Sequence, residues 1–258
     1  MPRLCPICNR NVNDESVVED GRLVELEKKA HQEIARVQKT SAVDARKDIT
    51  NGSAIVVMDF SSFKVKVVSG NALFIDVLVP LAESRYHEMF VFLSTHKEDV
   101  SFVQGGVRVV LTALRGRTDT ILVYSDGAPT HFKNKHNFYA WMDRRKENSW
   151  IQTLELRFFA PYHGSYVCDG AAATLNRKLR NTQMDAELVL KSLDDVCSVA
   201  KSIHGWNVRA LKEIEPTPLA PRSLNGMKRF FVWCVEPDAL RVYADMADDR
   251  KDYHVYLR

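Results

Sequence analysis

The spacing of apolar positions changes along this chain, and the changes outline its architecture. In the segment LVELEKKAHQEIARVQKTSAVDARKD, residues 23–48, apolar residues recur at Leu26, Ala30, Ile34 and Val37 among helix formers. That spacing predicts an amphipathic helix or helix pair, which either packs on a core or mediates self-association. Asn51–Gly52–Ser53 ends it as a turn. From Ala54 the texture is that of strands. AIVVMDFSSF is a buried run, SFKVKVVSG alternates and closes on a glycine turn, and NALFIDVLVPL and HEMFVFLST continue the pattern. Asp99 to Arg115 returns to helical spacing despite Gly105–Gly106, with Asp99 placed to cap the helix. TDTILVYSDG predicts another strand, and NKHNFYAWMDRRKENS a helix whose aromatic face of Phe138, Tyr139 and Trp141 belongs to the core.

Next come a strand over Thr153–Ala160, a glycine-punctuated loop and a basic helix beginning near Asp169. Asp185 to Trp206 predicts one more amphipathic helix. The proline-rich stretch EIEPTPLAPRSLNG marks a boundary. Beyond it, two or three strands form either a small β appendage or an extra edge of the sheet. The element order is β-β-β-α-β-α-β-α, a mixed sheet with helices on its faces and hence an α/β architecture. The chain divides at this level into an N-terminal cysteine-pair and helical segment (1–52), a core (53–205) and a linker with a small C-terminal β region (206–258).

Composition narrows the classes. At 258 residues, 45% hydrophobic and 27% charged, the chain suits a large soluble domain with a small appendage. The net charge of +3 names no partner. Its basic clusters at Lys133–Lys135, Arg144–Lys146 and Arg177–Arg180 fit either a polyanion held near an acidic centre or ordinary solvated helix faces. Five scattered cysteines do not form a disulfide framework, which favours a reducing compartment. MPRLCPICNR lacks the apolar core of a secretory signal, and no apolar run approaches the ~18 residues of a membrane span. The expectation is a soluble, intracellular protein with no membrane partner. Cys5-x-x-Cys8 is half of a zinc site, since tetrahedral zinc wants four ligands; a remnant, a thiol pair or chance reads equally from it.

Three aspartates carry the candidate chemistry. Asp59 and Asp126 each stand at or just after the end of an apolar strand, and Asp169 stands where a helix begins. Asp126–Gly127 is also a common turn and Asp169 also an ordinary N-cap, whereas Asp76 reads as a solvent-facing residue in mid-strand. Two strand ends and a helix start can converge at one edge of a sheet. Three carboxylates there supply the hard oxygen donors that two Mg²⁺ or Mn²⁺ ions need, with Asp59 bridging both and Asp126 and Asp169 holding one each. Element order and carboxylate positions together point to the ribonuclease-H-like fold, a mixed five-stranded sheet flanked by helices.

VYSDGAPTHFKNKHNFYAW and FFAPYHGSYVCDGAAATLNRKLR resemble the second and third catalytic blocks of a eukaryotic transposase-derived family with a DDD/E core, and more distantly those of retroviral-type integrases. Ser125, Asp126, Gly127, Phe132, Lys133, Asn134 and Phe138 match the first block; Phe159, Ala160, His163, Gly164, Asp169, Gly170, Arg177 and Lys178 match the second. The resemblance implies phosphodiester cleavage and strand transfer on DNA, either transposon ends or target DNA, by a nuclear homo-oligomer. It also implies phosphate contacts from Lys133, Asn134, His163, Arg177 and Lys178, although a loop histidine such as His163 can equally be satisfied by backbone. Two departures stand out: Ser165–Tyr166 replaces the family's Lys-Gly, which removes a lysine expected near the phosphate, and Ala172–Ala173 replaces its Gly-Gly, a conservative change within a helix. The alternative is a degenerate, domesticated transposase that binds nucleic acid or protein without cleaving.

Overall fold

The computed structural model describes residues 18–159, 166–184, 189–218, 220, 222–224, 227, 230–244 and 253–257. α1 (Val18–Lys47) leads into three long strands, β1 (Ser53–Lys64), β2 (Ser69–Leu81) and β3 (Ser84–Ser94). Then follow α2 (Val100–Leu114), β4 (Thr120–Ser125), α3 (Lys135–Glu147), β5 (Thr153–Phe158), α4 (Tyr166–Met184) and α5 (Leu193–Lys201). Four short strands complete the chain: β6 (Trp206–Ala210), β7 (Val232–Val235), β8 (Ala239–Tyr243) and β9 (Tyr253–Leu257).

The nine strands among the described residues form one mixed sheet, ordered β6-β3-β2-β1-β4-β5-β7-β8-β9. β1, β2 and β3 form an antiparallel meander; β4 runs parallel to β1, and β5 parallel to β4. The five strands expected from the sequence are its centre. β6 extends one edge by pairing parallel with β3, and β7 extends the other by pairing antiparallel with β5. The C-terminal strands are therefore an extra edge of the sheet. Residues 189–206 also depart from expectation, 185–188 lying outside the described residues: α5 covers only Leu193–Lys201, and Trp206 opens β6. The short helix starts sharply because Ser192 and Asp195 form a reciprocal capping box.

Helices cover both faces, so the central strands are apolar on both sides rather than alternating. Ala54, Val56 and Met58 of β1 face one core layer with Phe102 and Val107 of α2 and Phe138 and Trp141 of α3. Ile55 and Val57 face the other, with Cys168, Ala171, Leu175 and Leu179 of α4 and Val196 of α5. Gly106 explains the glycine pair inside α2. A Cβ there would lie 2.8 Å from Leu73 Cδ2 and 3.0 Å from Phe92 Cδ2, so glycine lets the helix sit against the sheet. Asp99 caps α2 as its position predicts, its carboxylate accepting from the Phe102 amide.

Asp76 overturns the solvent-facing reading. It is fully buried, accepting from Arg46 Nη1 of α1 at 2.9 Å and lying 2.6 Å from His87 Nε2 of β3. A strand covered on both faces has no solvent side, so a charge within it must find partners.

Candidate functional site

Register places the first two carboxylates. The last parallel pair between β1 and β4 is Met58 with Ser125, so Asp59 and Asp126 follow side by side at the ends of neighbouring strands. Strands in a sheet lie about 4.8 Å apart. Val57 and Tyr124, two positions earlier on each strand, face the α4 layer, and alternation points Asp59 toward that layer as well. The third carboxylate arrives on α4. Cys168 is buried against β1 and β2, its thiol donating to the carbonyls of Val57 at 3.5 Å and Phe74 at 3.7 Å. Phe74 is the cross-strand partner of Asp59. The next residue is Asp169, in the first turn of α4, where the helix dipole favours an anion. Asp169 is thus past the N-cap position assigned to it from sequence, because the helix begins at Tyr166.

The three carboxyls act on one another. Burial, reinforced by the Asp126 charge, pushes Asp59 up to about 8; the Phe60 amide opposes this, while Asp169 and Glu98 add to it. Burial also raises Asp126, again with Glu98 and Asp169 contributing, and burial raises Asp169. Glu98 had no signal in the sequence: it sits in a polar stretch between β3 and α2, and only the folding of that connection brings it near the aspartates.

Each strand-end carboxylate has a local anchor. Asp59 Oδ1 accepts from the Phe60 amide at 2.8 Å, and Asp126 Oδ1 from the Ala128 amide at 3.1 Å. His131 lies behind Asp126, with Nε2 3.9 Å from Oδ1. Its Nδ1 is 2.8 Å from the Thr130 hydroxyl, and its ring is held edge-on by Phe60 and Phe132. Burial lowers this imidazole to about 4, so it is neutral at physiological pH.

The expected nucleic-acid residues separate. Lys133 lies over the Phe231 ring at 4.4 Å, half-buried, and burial lowers its amine to about 8. Asn134 spends its side-chain oxygen capping α3, accepting from Asn137 N at 3.0 Å. Arg177 and Lys178 are exposed on α4. Nine residues past Asp169, or about two and a half turns, Lys178 stands across the helix from it, whereas Arg180, about three turns on, shares its row. Cys5, Cys8 and His163 lie outside the described residues.

Three carboxylates with Glu98 nearby form a set of hard oxygen donors, crowded and partly desolvated, in which a divalent cation would supply the missing positive charge. Carboxylate oxygens are the donor type that Mg²⁺ and Mn²⁺ take. Among the described residues, no group of three His, Cys, Asp or Glu side chains is drawn together tightly enough to grip an ion by itself. A cleft of about 500 Å³, lined by Gln104, Arg108, Arg144 and Ile214 among others, lies on the α2/α3 side and includes none of these carboxylates.

Fold and site define a mixed α/β protein with a carboxylate cluster at the end of two parallel strands. The chain belongs to a family described as a domain of unknown function (DUF8701), whose pattern matches residues 77–230. No curated protein matches it. Among solved structures, it is similar to a chain in the cryo-EM structure of the simian T-cell lymphotropic virus intasome in complex with PP2A regulatory subunit B56 gamma. That match has 12% identity and a TM-score of 0.37, covering 79% of this chain and 75% of that one. No helix among the described residues is long and apolar enough to cross a membrane.

Proposed function

We propose that residues 53–205 form a ribonuclease-H-like core that cleaves DNA phosphodiesters, with strand transfer, in the manner of a DDD/E transposase or integrase. One observation carries the reading: Asp59 and Asp126 end adjacent parallel strands in register, and Cys168, the residue before Asp169, is buried against the carbonyls of Val57 and Phe74 beside Asp59. The strand order of the central five and the sequence blocks around Asp126 and Asp169 support it.

Under this reading Asp59, Asp126 and Asp169 hold two Mg²⁺ or Mn²⁺ ions. Bound there, divalent cations would activate a water or terminal hydroxyl and neutralise charge on the leaving oxygen. The remaining roles belong to the protein. His131, neutral and packed by two phenylalanines, walls the site behind Asp126, and Glu98 deepens the negative potential. Arg180, on the row of Asp169, contacts the sugar-phosphate backbone in line with the cluster, and Arg177 and Lys178 contact it farther around α4; such contacts orient a duplex without reading its sequence. Lys133 and Asn134 shape the loop behind Asp126, and His163 contacts phosphate.

A second reading has its own support. Asp59 and Asp126 already accept backbone hydrogen bonds, so the cluster can persist as structure in a protein that binds nucleic acid or protein without cleaving. Calorimetric titration of Mg²⁺ and Mn²⁺ into the wild type and Asp126→Asn, with and without DNA, separates the two. Binding that is lost in the variant, followed by metal-dependent nicking of DNA ends, is the expected result. A wild type that takes up neither ion, even with DNA present, sinks the enzymatic reading and leaves the binding module.

A further inference from the structure

α1 is docked on the body through only part of its length. Ala35 and Gln38 are buried, and Ala42, Ala45 and Ile49 pack on the α4/α5 core layer, with Arg46 reaching Asp76. Toward the N-terminus from Ala35, no residue with a described side chain is buried. Thirty helical residues span about 45 Å, and among the described side chains full burial begins only at Ala35.

The apolar row Leu26, Ala30, Ile34 and Val37 is not the docked face. Helical geometry sets it about a third of a turn from the row of Ala35 and Ala42. Leu26 is 64% exposed and Ile34 40% exposed, in a helix otherwise rich in charge. This row is symmetric about Ala30. Leu26 and Ile34 stand four positions to either side, and the sequence carries Leu23 and Val37 seven positions to either side.

We propose that this row is a docking surface for α1 of a second copy of this chain, paired antiparallel about a two-fold axis at Ala30. A two-fold interface must be complementary to itself, and a row that reads alike in both directions meets that requirement. Leu26 of one copy packs against Ile34 of the other, while the small Ala30 at the axis lets the helices approach to about 8–10 Å. Charge favours the same arrangement. Residues 18–29 carry Glu19, Asp20, Glu25 and Glu27 against Arg22, Lys28 and Lys29, a net −1; residues 31–42 carry Arg36 and Lys39 against Glu33, a net +1. Antiparallel pairing about residue 30 sets these segments opposite each other, and parallel pairing would set like on like. The inference is independent of the phosphodiester reading.

Sedimentation equilibrium of the full chain from 1 to ~100 μM, run beside Leu26→Glu/Ile34→Glu, tests it. The wild type is expected to dimerise, the double variant to have a dissociation constant raised at least tenfold with unchanged circular dichroism, and rising salt to weaken the wild-type dimer. Ala30→Cys supplies a second measurement: mild oxidation should link two chains through residue 30, while the same exchange at Gln32, off the row, should not. A wild type that stays monomeric throughout overturns the proposal, whether the row then binds residues 1–17 or a different protein. So does a dimer that survives the double variant, or one that Gln32→Cys links as readily as Ala30→Cys.

Discussion

Carboxylates crowded at the end of β1 and β4 cost stability when nothing positive faces them. Asp59 shows the sign. Its ordinary value of 3.8 rises to about 8 in the folded protein, so the folded state holds a proton that the unfolded chain releases between those values. Stability contributed by the neutral carboxyl is therefore lost as pH climbs from 3.8 toward 8. Asp59→Asn removes that loss. In metal-free buffer the variant should be more stable than the wild type by on the order of 2 kcal/mol near pH 7.5, with the difference vanishing near pH 4. Urea denaturation at the two pH values measures it. A variant less stable than the wild type at pH 7.5 would mean that Asp59 is held by positive partners rather than crowded by negative ones.

Among elements, α1 is tied to the sheet through a buried carboxylate as well as through its apolar residues. Asp76 is wholly enclosed between Arg46 and His87, and breaking a buried pair by removing one partner typically costs about 3–5 kcal/mol. Asp76→Ala should therefore destabilise by about 3 kcal/mol and loosen the C-terminal half of α1, seen as faster amide exchange across residues 35–47. Asp76 also marks where local reading failed. Its position within a strand was plain, yet its burial came from α4 covering one face and from partners 30 and 11 residues away. The helix expected over 185–206 failed differently. Its apolar spacing continued into Trp206, but pairing with β3 claimed that residue for β6, because an edge strand can gain backbone hydrogen bonds that a helix end cannot. The helices with clear caps, α2 and α3, began where the sequence placed them, since an N-cap is a contact within one turn.

Across the whole molecule, one continuous sheet joins the central strands to the C-terminal ones. Trp233 of β7 is fully buried, stacked on Phe138 of α3 at 3.8 Å and lying 5.9 Å from the Tyr256 ring of β9. Trp233→Ala should cost about 3–5 kcal/mol and lower the midpoint of a single cooperative transition. Two separated transitions, with the core's midpoint unmoved, would show that β7–β9 unfold independently of the central sheet.

The sequence by itself determined the α/β order, the three central antiparallel strands, the cap of α2, the start of α3, and the candidacy of Asp59, Asp126 and Asp169. These are properties of spacing and of short segments, written within a few residues. Tertiary structure decided that four further strands extend the sheet, that Asp76 is buried, that Glu98 and His131 stand beside the aspartates, and that the apolar row of α1 faces outward. Those outcomes depend on which faces are covered and which distant backbones pair, and hydrophobic burial is non-directional: an apolar row calls for cover without naming what covers it.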